Sequence, residues 1–294
     1  MKTKTKGKIN IFAIVCATVL GIYTLCMFLF MYLTVSTSLK DIFDLNVNPI
    51  GLPSPICFEN YGFAYETLVV QVGSSGNSRM VYFDRMLLYS VLYSVGCSFI
   101  ISFIPCIMAY LVAKYNVSLN KIIYGAVVFA MVFPVVGAGA SELQVMKQLG
   151  LYNTIPGMWI QSASFLGMYF LVYYASFKSL SNEYMEAAII DGASHLRVLT
   201  SVVLPLVKTS IFAVFILQFI AHWNNYQTPL LYLPDYPTAA VGLFRSAYSP
   251  NQAGTLTENM RMAGCVILCI PIMVIFLAFK DIFMGNITVG GIKG

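Results

Sequence analysis

The sequence predicts an all-α membrane protein with six transmembrane helices. Only 10% of its 294 residues are charged, against roughly 25% in soluble domains. The mean hydropathy is +0.78. The apolar residues form blocks long enough to cross a hydrocarbon core, which needs about 20 helical residues. Helices are expected because each one satisfies its own backbone hydrogen bonds in lipid, and the alternating pattern of an outer-membrane barrel is missing from the sequence.

Six apolar blocks have the length that a membrane-spanning helix needs. They comprise residues 11–33, 86–112, 122–140, 155–177, 209–233 and 262–279. The first block follows a lysine-rich start, but it is longer than the apolar region of about 7–15 residues in a cleavable signal peptide. No small-residue cleavage site follows it. We therefore expect a retained span, and a single six-span domain over residues 1–294 with its core at 86–283.

The positions of the basic residues predict the orientation. With six spans both termini lie on one side, and most of the 17 Lys and Arg residues fall on that side. They are Lys2, Lys4, Lys6, Lys8, Lys114, Lys121, Lys178, Arg197, Lys208, Lys280 and Lys293. The positive-inside rule places this side in the cytoplasm. The sequence thus predicts a multi-pass protein of the cell membrane with both termini cytoplasmic, external loops at 34–85 and 234–261, and a long cytoplasmic segment at 178–208.

Little in the sequence indicates catalysis, a cofactor or nucleic acid binding. The formal net charge of +5 is explained by the topology. No G-x-x-x-x-G-K-[ST] motif occurs, so no phosphate-binding loop is expected. His195 and His222 fall at different depths and are not expected to share a metal. All cysteines except Cys57 lie inside apolar blocks, where Cys behaves as a small hydrophobe, so no disulfide framework is expected.

A compact, partly charged stretch at 183–207 separates the fourth and fifth apolar blocks. Ser181 or Asn182 can cap a helix start, and Glu183 and Glu186 then lie in the first turn, where carboxylates favour the helix dipole. One face of this helix is apolar at positions i, i+3 and i+4. It consists of Met185, Ala188 and Ile189.

The end of this helix is predicted at Gly192, and a second helix begins near Ser194. We expect Asp191 to fix the turn between them by hydrogen bonds to nearby backbone N–H groups. Two interpretations remain open for the pair. It is either an amphipathic connector that rests on lipid, or a helix that docks into a groove of another protein. The polar face is not rich in Lys or Arg, which favours docking.

The same stretch carries a motif with several fixed positions. Glu186-Ala187-Ala188, Asp191-Gly192-Ala193 and Leu204-Pro205 match EAA-x-x-DGA followed by I-x-LP, with Val202 where Ile is usual. This pattern resembles the EAA loop of ABC importer permeases. Other matches extend over residues 35–294 and are similar to the maltose-permease-like group of carbohydrate permeases. They are Phe58-Glu59-Asn60-Tyr61, Leu149-Gly150-Leu151-Tyr152-Asn153-Thr154, Trp223-Asn224 with Pro229-Leu230, Val241-Gly242-Leu243, and Gly290-Gly291-Ile292-Lys293-Gly294.

The resemblance implies a non-catalytic permease subunit whose EAA loop is a coupling helix. Such a helix sits in a cleft of a separate ATP-hydrolysing subunit and moves the spans between inward-open and outward-open states. The implied partners are two ABC ATPase copies, a second related permease, an external solute-binding protein, a sugar as cargo and membrane lipid. The implied coupling residues are Glu186, Ala187, Ala188, Asp191, Gly192 and Ala193. Residues 73–76 and 77–85 depart from the pattern, as does Thr209, where relatives often have Pro.

Polar and aromatic residues interrupt the fifth apolar block. Amide side chains inside a span must face protein or water. Together with an aromatic ring they suit a sugar, but hydrogen bonding between helices is the alternative. The candidate substrate-path residues are Gln218, Trp223, Asn224 and Asn225. Tyr169, Tyr173 and Tyr174 are expected in the aromatic belt of the membrane interface.

Other classes of function are less consistent with the sequence. A self-contained channel or an ion-coupled transporter predicts charged residues inside the spans and internal repeats, and the spans are almost free of charge. An intramembrane enzyme predicts a catalytic constellation that we do not find. Within importers, a polyamine, phosphate or peptide permease stays open, because the EAA loop is shared among them. The W-N…P-L and G-G-I-K-G features favour a carbohydrate.

Overall fold

The computed structural model describes residues 11–73, 76–133, 137–248 and 256–287, with side chains up to residue 280. Most of these residues are helical. The elements in chain order are α1 (Ile11–Ser38), α2 (Ile42–Val47), α3 (Glu59–Thr67), β1 (Val69–Val72), β2 (Arg79–Tyr82), α4 (Phe83–Lys114), α5 (Asn120–Val132), α6 (Ala138–Gln148), α7 (Ile155–Gln161), α8 (Met168–Ser179), α9 (Glu183–Ile190), α10 (His195–Val198), a π-helical turn (Leu199–Val203), α11 (Leu204–Asn224), α12 (Gln227–Tyr232), α13 (Ala239–Tyr248) and α14 (Glu258–Ile287).

Four helical runs within the described residues are long and apolar enough to cross a membrane. They are Ile11–Ser38, Phe83–Lys114, His195–Asn224 and Glu258–Lys280. They correspond to the first, second, fifth and sixth predicted blocks. The fifth differs from its predicted bounds, because the helical run begins at His195, within the predicted cytoplasmic segment, and ends at Asn224, and residues 227–232 form the separate helix α12. A mostly helical fold with candidate membrane spans is therefore confirmed, and the β1–β2 pair departs from a purely α-helical fold. The number of six spanning helices stays a prediction.

The third and fourth blocks are divided into shorter helices. Within 122–140 the structure has the apolar helix α5 and the start of α6, with residues 134–136 outside the described part. Within 155–177 the chain leaves α7 after Gln161 and enters α8 only at Met168. Gly167 precedes α8 with φ 155°, a backbone conformation that a side chain resists. Serine and glycine between the two helices therefore interrupt a block that hydropathy alone joins.

Helix α4 is the central element of the fold, and it packs against α8 and α11. Three buried apolar clusters follow one another along it. Near its start, Phe83 and Met86 contact the short antiparallel β1–β2 hairpin and α13. Tyr93 and Cys97 belong to the middle cluster with residues of α6, α7 and α12. The last part of α4 lies in a third cluster, which also contains residues of α8, α10 and α11.

The connection between α1 and α3 is fixed by a small polar cluster. The Asn60 amide donates to the backbone carbonyls of Ser38 and Lys40, at 2.9 and 2.8 Å. The Asn259 amide donates to the Lys40 carbonyl and to Asn60 Oδ1, both at 3.1 Å. Tyr61 and Ser38 hydroxyls are 2.7 Å apart. The F-E-N-Y motif thus joins the end of α1 to α3 and to the start of α14.

Candidate functional site

Helix α9 begins where the sequence predicts it. The Ser181 hydroxyl accepts a hydrogen bond from the Glu183 backbone N–H at 3.2 Å, and Asn182 occupies the N-cap position. Glu183 and Glu186 lie in the first turn, where a negative charge faces the positive end of the helix dipole. Local sequence therefore accounts for the start of this helix.

Helix α9 ends in a Schellman motif, which sets the direction of the chain. Gly192 has φ +82°, and its N–H donates to the Ile189 carbonyl at 2.9 Å. The Ala193 N–H donates to the Ala188 carbonyl at 3.0 Å. This pair of bonds satisfies carbonyls that a helix end otherwise leaves open, and the left-handed residue is usually glycine. The turn is held by the backbone: within the described residues the Asp191 carboxylate makes no hydrogen bond to it, contrary to expectation.

Helix α10 follows directly and continues through the π-helical turn into α11. The Ser194 hydroxyl caps it by accepting from the Arg197 N–H at 3.4 Å. The Thr200 hydroxyl donates to the Leu196 carbonyl at 3.0 Å inside the turn. Because no non-helical residue separates α10 from α11, a displacement of α9 can be transmitted to the long helix 195–224.

One face of the segment formed by α9 and α10 is attached to the bundle. Met185, Ala188 and Ala193 pack against the third apolar cluster. Lys114 Nζ at the end of α4 donates to the Leu180 carbonyl at 2.6 Å and to Asn182 Oδ1 at 2.9 Å. The Tyr115 hydroxyl lies 3.1 Å from His195 Nδ1. These contacts hold the segment against the ends of α4 and α8.

The opposite face of the segment is open and mixes large apolar side chains with carboxylates. Ile190 is 84% exposed, Leu196 70% and Tyr184 57%. Glu186 and Asp191 are also exposed, and neither forms an ion pair within the described residues. We call this surface the docking face, defined by Tyr184, Glu186, Ala187, Ile190, Asp191 and Leu196. It combines exposed apolar area with negative charge, which suits a protein cleft.

The four candidate substrate-path residues do not share one surface. Trp223 is 97% buried, since only 3% of it is exposed, and its Nε1 donates to the Leu268 carbonyl of α14 at 3.0 Å. The Asn224 amide donates to the Ile220 carbonyl of its own helix at 3.0 Å. The Asn225 side chain bonds the Thr228 hydroxyl and accepts from the Thr228 N–H, each at 3.0 Å. Each of these three therefore has a structural partner, which lies in another helix for Trp223 and within a few residues for Asn224 and Asn225.

Gln218 is different, because it lines a cavity. The cavity has a volume of about 360 Å³ and is bordered by α4, α8, α11 and the connection between α7 and α8. Gln218 Nε2 hydrogen-bonds the Tyr169 hydroxyl across it. Ser162, Ser164 and Gln161 also line it. Amide, hydroxyl and aromatic groups thus meet at one place between α4, α8 and α11.

Sequence reasoning missed two contributors to this polar region. Tyr169, which the sequence predicts in the interface belt, lines the cavity, and Tyr173 is fully buried. Glu142 of α6 accepts from Gln161 Nε2 at 3.0 Å and from the Tyr232 hydroxyl at 3.3 Å. The serine-rich stretch before Gly167 is the sequence feature that could have indicated this polar region. A helix interrupted within a bundle exposes backbone polar groups to a cavity.

The remaining motif residues fix loops and close helix contacts. Asn153, with φ +59°, donates to Asp235 Oδ2 at 2.6 Å. The Thr154 hydroxyl caps α7 by accepting from the Gly157 N–H at 3.1 Å. A Cβ on Gly242 would lie 2.5 Å from Met86 Sδ, so this glycine permits α13 to approach α4. The G-G-I-K-G motif lies outside the described residues.

Comparison with known proteins gives one family and several related permeases. The diacetylchitobiose uptake system permease protein NgcG of Streptomyces coelicolor is 26% identical over 282 residues, covering 95% of this chain and 88% of that protein. The melibiose/raffinose/stachyose import permease protein MelC of Bacillus subtilis is 26% identical over 269 residues, covering 91% and 92%. The trehalose/maltose transport system permease protein MalG of Thermococcus litoralis is 27% identical over 282 residues, covering 92% of each.

A solved structure shares the fold. A chain of a bacterial ABC transporter involved in the import of the acidic polysaccharide alginate superimposes with a TM-score of 0.70, at 22% identity, over 96% of this chain and 98% of that one. The model of the family described as "binding-protein-dependent transport system inner membrane component" matches residues 93–288, more than half of the chain. That stretch contains α9, α10 and the cavity at Gln218. The chain therefore belongs to the family of inner membrane components of binding-protein-dependent transport systems.

Proposed function

We propose that this chain is the six-span permease subunit of an ATP-driven importer that takes up a sugar or an oligosaccharide. Family membership and the sugar permeases among its relatives support this function. The complex would contain two copies of a separate ATPase, a second related permease and an extracytoplasmic solute-binding protein. The chain would lie in the cell membrane with both termini in the cytoplasm, and ATP would be hydrolysed by the ATPase alone.

The observation that carries this proposal is the docking face on α9 and α10. In it Ile190 and Leu196 are exposed beside the Glu186 and Asp191 carboxylates, while the opposite face is packed on the bundle. A connector that rests on lipid would present mainly basic side chains around its apolar face. Here the carboxylates of Glu186 and Asp191 lie beside that face, and Arg197 is the exposed Lys or Arg of α9 and α10. A protein cleft with basic residues at its rim would cover the exposed apolar side chains and pair with the carboxylates. We propose that the ATPase supplies this cleft.

The path from ATPase to cargo would follow the continuous helix 195–224. A shift of α9, fixed to α10 through the Schellman motif, would move α11 and with it Gln218. We propose that Gln218 and Tyr169 contact the sugar, since hydroxyl and amide groups can replace the hydrogen bonds that the sugar makes with water. Trp223, Asn224 and Asn225 would support the wall of the path through their bonds to Leu268, Ile220 and Thr228.

Site-specific crosslinking tests the docking face. A photoreactive amino acid at Ile190, which is 84% exposed, should crosslink to the ATPase subunit in the intact complex. The matched control is Leu149, which is 65% exposed and follows α6, in the region of the middle cluster. The same probe there should give no ATPase adduct. Lipid adducts alone at Ile190 would show that the segment is a membrane-surface connector, and the importer assignment of this face would be abandoned.

A further inference from the structure

A second cavity lies beside the coupling segment and has no role in the proposed transport cycle. Its volume is about 780 Å³, and it is formed by the end of α4, the 115–119 connection, the start of α5 and the end of α8. Lysines and tyrosines dominate its wall. The residues that matter are Lys114, Lys121, Lys178, Tyr115, Tyr124 and Tyr174.

The charge of this cavity is uncompensated. No Asp or Glu is among its lining residues in the described part of the chain. Lys178 lies over the Tyr174 ring, with its Nζ 5.6 Å from the centroid, and the Tyr124 and Tyr174 rings are 5.0 Å apart. Lys121 is exposed and makes no hydrogen bond or ion pair within the described residues. The cavity is thus a basic pocket with aromatic walls.

Only part of this charge is explained by the fold. Lys114 has a structural role, because its ammonium donates to the Leu180 carbonyl and to Asn182 Oδ1. Lys121 and Lys178 have no such acceptor among the described residues. Like charges held on one cavity wall repel one another, and an anion between them would relieve this repulsion. The two lysines are therefore the groups that a ligand would engage.

The position of the cavity identifies the source of the anion. Lys114 is the last residue of a helix long and apolar enough to span the membrane, so the cavity lies at a membrane boundary. Helix α5 leads away from it with an apolar outer surface: Ile122 is 67% exposed, Phe129 60% and Val132 65%. A ligand with a charged head and an apolar chain would satisfy both regions. Basic pockets between transmembrane helices bind the head groups of anionic lipids in this way.

We propose that this cavity binds the phosphate group of an anionic phospholipid, whose acyl chains lie along α5. Lys121 and Lys178 pair with the phosphate, and the Tyr124 and Tyr174 rings cover the glycerol region. The inference requires only that this end of the bundle lies at a membrane boundary. It depends neither on the cargo nor on which side of the membrane the segment faces, so it can fail without affecting the proposed function.

The test measures lipid retained by the purified complex. The complex is placed in nanodiscs of phosphatidylcholine with a minor fraction of phosphatidylglycerol, and native mass spectrometry counts the phosphatidylglycerol that remains bound after detergent release. Lys121→Gln/Lys178→Gln should lower this retention roughly 25-fold, since each of the two lysines near the surface contributes about a factor of five. Lys208→Gln/Lys280→Gln removes the same charge from exposed positions outside the cavity and should leave retention unchanged.

A second pair of variants controls for misfolding. Ser118 is exposed and lines the cavity. Ser118→Glu places a carboxylate there and should lower retention of phosphatidylglycerol, whereas the neutral Ser118→Gln, of the same size, should not. Equal retention of phosphatidylglycerol in all four variants would overturn the proposal. It would also be overturned if Lys208→Gln/Lys280→Gln lost as much phosphatidylglycerol as Lys121→Gln/Lys178→Gln. If the lysine variants instead lose the ATPase subunit and keep the lipid, the cavity contacts protein. If inorganic phosphate binds equally well without lipid, the cavity binds a soluble anion, and the lipid assignment is wrong.

Discussion

The backbone N–H of Ala193 donates to the carbonyl of Ala188 at 3.0 Å, across the left-handed Gly192. Both alanines also pack against the apolar cluster at the ends of α4 and α8. The hydrogen bond therefore closes the end of α9, and the packing of the two alanines attaches that end to the bundle. The conformation of Gly192, with φ +82°, is the condition for this contact.

The first prediction concerns Gly192. Gly192→Val should cost about 1–2 kcal/mol at this position, because a β-branched residue resists positive φ. We expect the complex to lose bound ATPase, or to keep it without stimulation of ATP hydrolysis by the loaded binding protein. Gly192→Asn should retain much of the coupling, since Asn adopts the left-handed conformation more readily.

The control for this variant is Gly150→Val. Gly150 has φ +67° and open space around it, so it carries a comparable backbone strain away from the segment. ATPase retention should be unaffected there. If Gly192→Val leaves both ATPase retention and transport intact, the turn does not orient a coupling helix.

The second prediction concerns the cavity at Gln218. Gln218→Ala removes the hydrogen bond to the Tyr169 hydroxyl and a group that we propose to contact the sugar. Loss of one hydrogen bond of about 1 kcal/mol should reduce transport by roughly fivefold or more. Vesicle uptake with labelled sugar and the thermal unfolding of the complex should be measured together. A fall in stability without a selective loss of uptake would assign Gln218 to helix packing.

The third prediction concerns Trp223. Because this side chain is buried and bonded to the Leu268 carbonyl, Trp223→Ala should destabilise the protein by about 3–5 kcal/mol. The loss should appear as lower yield and a lower unfolding temperature. Asn224→Ala is the matched control, since Asn224 is exposed and, among the described residues, its side chain hydrogen-bonds only within its own helix. A normal unfolding temperature with lost transport would instead place Trp223 in the path.

The fourth prediction concerns the contact between α4 and α7. A Cβ on Gly96 would overlap the Trp159 indole, whose Nε1 donates to the Leu92 carbonyl at 3.0 Å. Gly96→Val should therefore lower the unfolding temperature, at a cost of about 1–3 kcal/mol for overpacking. Gly125→Val is the control, because open space surrounds Gly125 in an apolar helix. Similar unfolding temperatures for the two variants would contradict the close approach.

The fifth prediction concerns orientation. Cys57 lies in the connection between α2 and α3 and is partly exposed. It should react with a membrane-impermeant thiol reagent in intact cells if this loop is external. Leu196→Cys, at a position that is 70% exposed, should react only after permeabilisation. The opposite pattern of labelling would reverse the proposed topology.

Local sequence determined the features that depend on near neighbours. The apolar blocks mark where long helices form, because composition over about 20 residues decides the preference for lipid. The start of α9 at Glu183, its end before Gly192 and the cap at Ser194 follow from capping groups and positive φ, which act within a few residues. Periodicity and motif spacing therefore located the segment of α9 and α10 that we propose to couple to the ATPase.

Tertiary structure decided where the polar side chains point, because their partners are far away in sequence. Trp223 finds the carbonyl of Leu268, Gln218 finds Tyr169, and Glu142 finds Tyr232, and no local pattern specifies such pairs. The break in the fourth block before Gly167 could not be predicted from hydropathy either, because hydropathy is averaged over many residues. The backbone polar groups at such a break find their hydrogen-bond partners only in surrounding helices. Sequence thus sets which residues are available for the proposed path and the proposed coupling contact, and packing around α4 decides which of them come together.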